Sequence, residues 1–192
     1  MAQIYIKSLR YAKTSFYEVC STLSPFLGIF SSFKKKISDD SNWMKKSKFV
    51  QLNTIDVSED PVRPELDLEW RKSFGKKIFG LQYNDEILAV VCLAFTNDVP
   101  HTVRELDLMS QVSQYKKNAN IAVAYTVWSK KKGAGKKIME EVREYAKIKD
   151  LKRVVTLSPL TPMATHYHIR NEARLIRLNA STQNFEYNLK NK

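Results

Sequence analysis

Cysteine, histidine and acidic side chains are all scarce in this chain, and each scarcity closes off a class of function. Two cysteines, Cys20 and Cys92, stand far apart in 192 residues. They build neither a disulfide framework nor a metal or redox motif, so a reducing compartment, the cytoplasm, is expected. Three histidines leave His166-x-His168 as the one metal-like pattern. Two residues apart on a helix they point to different sides, with no Cys or acidic ligand nearby, and no metal is expected. Asp and Glu number 20 against 32 Lys and Arg, a net charge of +12, which favours anionic partners such as nucleic acid or an acidic protein surface. Long apolar runs are missing too. Residues 16–33 contain Glu18, Pro25 and several serines and are too broken for a spanning helix or a signal segment. No repeat, low-complexity tract, or RNP, helix-turn-helix or zinc signature is found.

What the chain has is a globular composition, 43% hydrophobic and 11% aromatic, enough at this length to bury roughly 70% of the unfolded surface. Residues 1–45 are expected to form a helical or irregular extension that includes the basic run Lys34, Lys35, Lys36; residues 46–192 form the domain. From Phe49 the pattern is α/β. FVQLNTID alternates as a strand, Pro61 and Pro64 punctuate an acidic loop, and a helix is expected over 65–73. Strands over 78–83 and 86–95 are joined by Asn84-Asp85 as a hairpin. Thr102 caps a helix through about residue 114, and the continuously apolar IAVAYTVW reads as a central buried strand. After Gly135, the stripe Ile138, Val142, Tyr145, Ala146 marks a helix lying on a sheet. RVVTLS is the next strand, Thr161-Pro162 starts a helix expected to run to about residue 178, and Phe185, Tyr187 and Leu189 alternate in a last strand. This order predicts a mixed central sheet flanked by helices.

The most informative stretch is 126–137, TVWSKKKGAGKK, where a strand stops, a basic turn follows and a helix begins. The first-turn N–H groups of that helix lack intrahelical partners and lie at the positive end of its dipole, so the backbone itself offers an anion site. Gly133 and Gly135 let the main chain approach a phosphate with no Cβ in the way, and Lys130, Lys131, Lys132, Lys136 and Lys137 add positive charge. The spacing is neither GxxxxGK[ST] nor GxGxxG. It reads K-x-x-G-x-G, a turn that either receives a phosphorylated ligand or merely connects strand to helix.

Following a strand and opening a helix, this turn resembles the pyrophosphate loop of the GNAT acyl-CoA transferases, R/Q-x-x-G-x-G/A, with Lys130 where Arg or Gln is usual. Farther on, VVTLSP resembles the TLSP element of the malonyl-CoA decarboxylase family, whose catalytic domain has the GNAT fold. The run His168-Ile169-Arg170-Asn171-Glu172-Ala173, with Arg177 and Asn179 beyond, resembles that family's H-L-R-N-G-A…R-x-N segment. Tyr125-Thr126-Val127-Trp128-Ser129 sits where the family has a strand ending in a Ser-rich turn. The resemblance covers about residues 121–187. The same helix also fits the commoner GNAT pattern F-Y-x-x-x-G-F, whose Tyr protonates the departing thiolate, with Tyr167-His168 in place of Phe-Tyr. Both comparisons put His168 at the active position. Glu172 departs from both, which have glycine there; a turn needing positive φ makes Glu costly, and otherwise the helix continues.

The resemblance implies a GNAT-like acyl-CoA N-acyltransferase fold and an enzyme that moves an acyl group, expected to be acetyl, to an amine on a small molecule or protein. Acetyl-CoA or another acyl-CoA is the implied co-substrate, its pantetheine arm along the 124–127 strand edge. Val127, Lys130, Lys131, Lys132, Gly133, Ala134, Gly135 and Lys136 are then the residues that bind it. His168 is expected to supply a proton. Ser158 resembles the decarboxylases' serine and either positions the acyl group or satisfies backbone where its strand meets Pro159. Asn171, three residues after His168, shares its helical face and is expected to orient the imidazole or the CoA arm. Arg170, Arg174 and Arg177 form a basic stripe on that helix, solvated or facing an acidic ligand. No carboxylate announces itself as the base that deprotonates an amine. Two other functions remain open: decarboxylation of a malonyl-type thioester, and a catalytically silent GNAT-like module binding nucleic acid or protein.

Overall fold

In the computed structural model residues 42–189 are described, and the compact unit treated below is Lys46–Lys192. The expected extension over 1–45, with the broken apolar stretch 16–33 and the basic run, lies outside the described residues apart from 42–45. Within the unit the strands are β1 (Lys48–Leu52), β2 (Lys76–Tyr83), β3 (Glu86–Thr96), β4 (Ile121–Ser129), β5 (Arg153–Thr156), β6 (Ser158–Pro159), β7 (Arg174–Leu178) and β8 (Thr182–Tyr187). The helices are α1 (Leu68–Lys72), α2 (Val103–Lys116), α3 (Ala134–Ile148) and α4 (Pro162–Arg170). The strands order as β1-β2-β3-β4-β5-β8-β6, with β7 pairing β8. This is the expected mixed sheet flanked by helices.

Local chemistry sets most boundaries. Asn84 and Asp85, at φ 47° and 64°, make the left-handed two-residue turn that suits the twist of β2 and β3. Thr102 caps α2, its side chain accepting from Glu105 N, and Thr161 caps α4, accepting from Ala164 N, with Pro162 beside it. The helix expected over 65–73 is shorter because Asp67, not Glu65, is its cap, accepting from Trp70 N at 2.7 Å.

The helix expected to reach residue 178 stops at Arg170. Ala173 N donates to His168 O and Glu172 N to Ile169 O, both at 3.0 Å, the paired bonds of a Schellman closure, and Glu172 takes the left-handed position at φ 66°. The chain then reverses into β7, where alternation rather than helical spacing places Leu175, Arg177 and their neighbours against β8. The basic stripe therefore dissolves: Arg170 ends a helix, while Arg174 lies on a strand and pairs with Glu186 at 3.2 Å.

Side-chain alternation separates two faces of the sheet. Ile78, Val90, Cys92, Ala94, Val123, Val155 and Leu157 form the core under α1 and α2, joined by Leu106, Leu68 and Trp70. On the other face Tyr145 of α3 packs among Phe79, Phe95 and Phe49, with ring centroids 5.0, 6.2 and 6.0 Å away. Between the faces β4 and β5 run parallel from Ile121↔Arg153 to Ala124↔Thr156, with one more bond, Leu157 N to Ala124 O, at 3.0 Å. There they part. A bulge at Tyr125 bends β4, since Cys92 faces Thr126 while Leu93 faces Ala124. Beyond Leu157 the chain pairs with β8 through Ser158↔Gln183. The result is a fork whose open side is the edge of β4 from Thr126 to Ser129. Among the described residues no helix is long and apolar enough to cross a membrane.

Candidate functional site at the strand fork

Ser158 and His168, ten residues apart, are brought together by the strand-to-helix reversal that Pro159, Thr161 and Pro162 enforce. Ser158 Oγ lies 2.7 Å from His168 Nε2, and His168 Nδ1 lies 3.0 Å from the Tyr187 hydroxyl. Ser158 donates to Thr156 Oγ1 at 3.2 Å, and Thr156 Oγ1 also accepts from Phe185 N at 3.1 Å. With the serine proton directed to Thr156, the network assigns the imidazole proton to Nε2, donating to Ser158, and leaves Nδ1 to accept from Tyr187. Val154 pairs with Tyr187 across β5 and β8, so Thr156, Ser158 and Tyr187 share the face that carries α3.

This cluster is dry. Ser158, His168 and Tyr187 are 6%, 5% and 2% exposed, and the imidazole lies 4.9 Å from the Phe185 ring, centroid to centroid. Burial pushes His168 down to about 4, so the ring is neutral at physiological pH, and burial raises the Tyr187 phenol far enough to keep its proton. Beside Tyr187 a shallow cavity of about 60 Å³ is lined by Lys136, Arg143, Asn171 and Glu172 among others, room for a water or two. Asn171 does not bond to the imidazole, whose partners are Ser158 and Tyr187. Its Nδ2 donates to Tyr167 O at 2.9 Å, because the position is the end of the helix rather than a continuing face.

The basic turn begins α3 as its sequence demands. Gly133, at φ 87°, is the cap residue, and no side chain caps the helix; Ala134 N donates to Lys131 O at 3.0 Å, which leaves the first-turn N–H groups of Gly135 and Lys136 as those that suit an anion. Ala134 and Gly135 are buried. A Cβ on Gly135 would come within 3.3 Å of the Tyr167 ring, whose hydroxyl donates to Gly135 O at 2.8 Å; α4 thus locks onto the start of α3. Lys130 is tied to Glu59 at 2.6 Å, and Lys136 stands 4.0 Å from Glu140. Both pairs are substantially solvent-exposed and easily exchanged for phosphate. Val127, opposite Val91 of β3, lies on the length of β4 that β5 has left. An open groove of about 620 Å³ adjoins the turn, lined by Tyr83, Ile87, Leu88, Lys130 and Lys131 among others.

The opposite face of the fork holds a cluster that the sequence reading passed over. Asp60 and Arg71, both fully buried, pair at 2.8 Å, and Thr126 Oγ1 lies 2.9 Å from each Asp60 oxygen. Arg71 also donates to Leu66 O and Arg63 O, at 2.8 and 2.6 Å. Arg63 reaches into the fork itself: Nε donates to Tyr125 O and Nη2 to Leu157 O, each at 3.0 Å. Burial draws Arg63 below the ordinary guanidinium value, yet arginine remains a cation at any working pH. One signal was visible: Asp60 and Arg63 each precede a proline, which holds both in extended backbone. That these two charges would face β4 depends on contacts 60 to 90 residues away and could not be read from the loop.

No protein-family model matches the sequence, and no curated protein does. Solved structures do. Malonyl-CoA decarboxylase from Agrobacterium vitis superposes with a TM-score of 0.61 at 16% identity, over 77% of this chain and 62% of that one. The decarboxylase from Rhodopseudomonas palustris gives 0.55 at 17%, over 90% and 64%. The GNAT domain of S. lividans PAT gives 0.50 at 11%, over 73% and 89%. The fold is that of the GNAT acyl-CoA N-acyltransferases. This chain spans under two thirds of the length of the decarboxylases it matches.

Proposed function

We propose that the protein is an acyl-CoA enzyme and that its reaction is loss of CO2 from a malonyl-type thioester. The observation that carries this reading is the buried series Ser158, His168, Tyr187, with its 2.7 Å contact between serine and imidazole. The likeness in fold to CoA-using enzymes supports the location: diphosphate on the start of α3, pantetheine along β4 from Thr126 to Ser129, thioester at the fork. Acyl-CoA is held by the N–H groups of Gly135 and Lys136 and by the Lys130, Lys131, Lys132 and Lys136 side chains.

Decarboxylation breaks the bond between the α carbon and the carboxylate, and the electron pair becomes a thioester enolate. The α carbon must then gain one proton. Ser158 gives its proton to that carbon, His168 passes its Nε2 proton to Ser158, and Tyr187 protonates Nδ1, leaving a neutral imidazole in its other tautomer that returns to the Nε2–H form when the three protons pass back along the same series between turnovers. Solvent in the small cavity beside Tyr187 reprotonates the phenol. The relay needs no resting charge, which suits an imidazole held neutral by burial. An enolate is basic enough to take a proton from a hydroxyl. Net consumption is one malonyl thioester and one proton, and the products are CO2 and the acetyl thioester.

Acetyl transfer to an amine is the second reading, supported by the fold shared with the PAT GNAT domain. There His168 protonates the departing thiolate, but an amine must also lose a proton, and Asp60, the fully buried carboxylate at the fork, is already engaged by Arg71 and Thr126. The test incubates the full chain with malonyl-CoA, and separately with acetyl-CoA plus a panel of amines. Release of CO2 with formation of acetyl-CoA is expected. Acylated amine would establish the second reading, and CoA binding without turnover of any thioester would leave a binding module.

A further inference from the structure

The parallel pairing of β4 with β5 ends because a side chain, not another backbone bond, fills the next step. Beyond Ala124 and Thr156 the carbonyls of Tyr125 and Leu157 are bridged by the Arg63 guanidinium, which closes the fork where a bound pantetheine arm would run out of strand edge. Arg63 is only 8% exposed, and among the described residues no carboxylate comes within ion-pairing distance of it. Asp60 is spent on Arg71 and on Thr126. On the same face the Trp128 indole N–H is buried without a hydrogen-bond partner, and the Tyr125 hydroxyl has only the weakly bonding Cys92 thiol beside it. Glu65 and Asp60 lend Arg63 negative charge from beyond pairing distance, but burial outweighs them, and a guanidinium that spends two of its five N–H donors on the two carbonyls has donors left for an anionic group at the fork.

We propose that Arg63 is the electrophile of the site, donating to the thioester oxygen and stabilising the oxyanion that develops on it. This rests on the acyl-CoA reading above. The geometry divides labour between the faces of the fork: Ser158, one residue beyond the Leu157 carbonyl that Arg63 holds, presents its hydroxyl from the α3 face, while the guanidinium enters from the α1 face. A planar enolate between them receives its proton on carbon from one side and charge stabilisation on oxygen from the other. The alternative target, the carboxylate that leaves as CO2, is disfavoured by chemistry, because pairing that carboxylate with a cation stabilises the ground state and opposes its loss. No proton moves to or from Arg63; the electron pair released by carbon–carbon cleavage comes to rest on the oxygen it faces.

The test compares binding of two ligands by wild type, Arg63→Lys and Arg63→Gln. One is CoA, which has no acyl oxygen. The other is a dethia-CoA whose acyl end is a carboxylate, a stable planar anion in place of the enolate. Wild type is expected to bind the carboxylate analogue at least tenfold more tightly than CoA. Arg63→Gln should abolish that preference while changing CoA affinity by less than about threefold, and turnover should fall by about 100- to 1,000-fold, the usual cost of one oxyanion donor. Arg63→Lys, which keeps the charge and one donor, should retain part of the preference and serves if the Gln variant fails to fold. Equal weakening of both ligands, or an unchanged preference in both variants, would make Arg63 a structural wedge and overturn the proposal while leaving the acyl-CoA reading intact. A wild type that binds neither ligand overturns both.

Discussion

On the α3 face of the fork, Thr156, Ser158, His168 and Tyr187 satisfy one another in series and carry no net charge. On the α1 face Asp60, Arg63 and Arg71 occupy space just as dry, and their charges sum to one excess cation. The first arrangement can hand a proton along because each member is both donor and acceptor. The second cannot, since a guanidinium neither accepts nor releases a proton, but it offers a fixed field that costs no reorganisation during reaction. Two solutions to the burial of polar groups thus give one fork two different capacities.

Replacement variants should separate the faces by stability as well as by activity. Asp60→Asn leaves Arg71 buried without its partner and should cost about 3–5 kcal/mol. Ser158→Ala removes a neutral hydroxyl, leaves the His168 Nε2–H without its acceptor and should cost about 1–3 kcal/mol. Urea unfolding of both variants measures the contrast, and equal losses would erase it.

The neutral face should next reveal itself through pH. His168 is held near 4 against an ordinary 6.5, so the unfolded chain binds a proton that the folded chain refuses. Stability attributable to His168 is therefore complete above about pH 6.5 and drains away as pH falls toward 4, by about 3 kcal/mol in all. Denaturant midpoints followed from pH 7.5 to 4.5 should show this slope in wild type and lose most of it in His168→Gln.

Smaller effects sharpen the assignment of the surrounding frame. Gly133→Asp places a like charge and a Cβ where diphosphate is expected, at a residue of positive φ, and should weaken CoA binding by about tenfold or more, roughly 1.4 kcal/mol. Calorimetric titration with CoA tests it; unchanged affinity in the folded variant removes the diphosphate from this turn. Glu172→Gly should stabilise the protein by about 1 kcal/mol, because the left-handed position that ends α4 suits glycine and strains glutamate. A lower melting temperature for this variant would show that Glu172 contributes more than it costs.

Local signals made much of this readable in the sequence. The Asn84-Asp85 turn, the Thr102 and Thr161 caps and the apolar stripe of α3 lie within a few residues of the structure they specify, and all appear where expected. The end of α4 was missed because Glu172 stands where a left-handed turn ordinarily advertises itself with glycine, so the pattern ran on through β7. Ser158 and His168 could be singled out, whereas Tyr187 read merely as an alternating strand residue; its hydroxyl matters only once β8 has been laid beside β5. Asp60, Arg63 and Arg71 were hidden for the same reason. In an exposed acidic loop charges are ordinary, and nothing local says that these fold inward.

The most direct measurement of the central claim is turnover of malonyl-CoA by wild type, Ser158→Ala and His168→Ala, set beside the CoA dissociation constant of each. If the Ser158–His168 pair carries the proton to carbon, both variants should lose about 100- to 10,000-fold in CO2 release while binding CoA within about threefold of wild type. Wild-type turnover retained in His168→Ala, with CoA bound as before, would contradict the account.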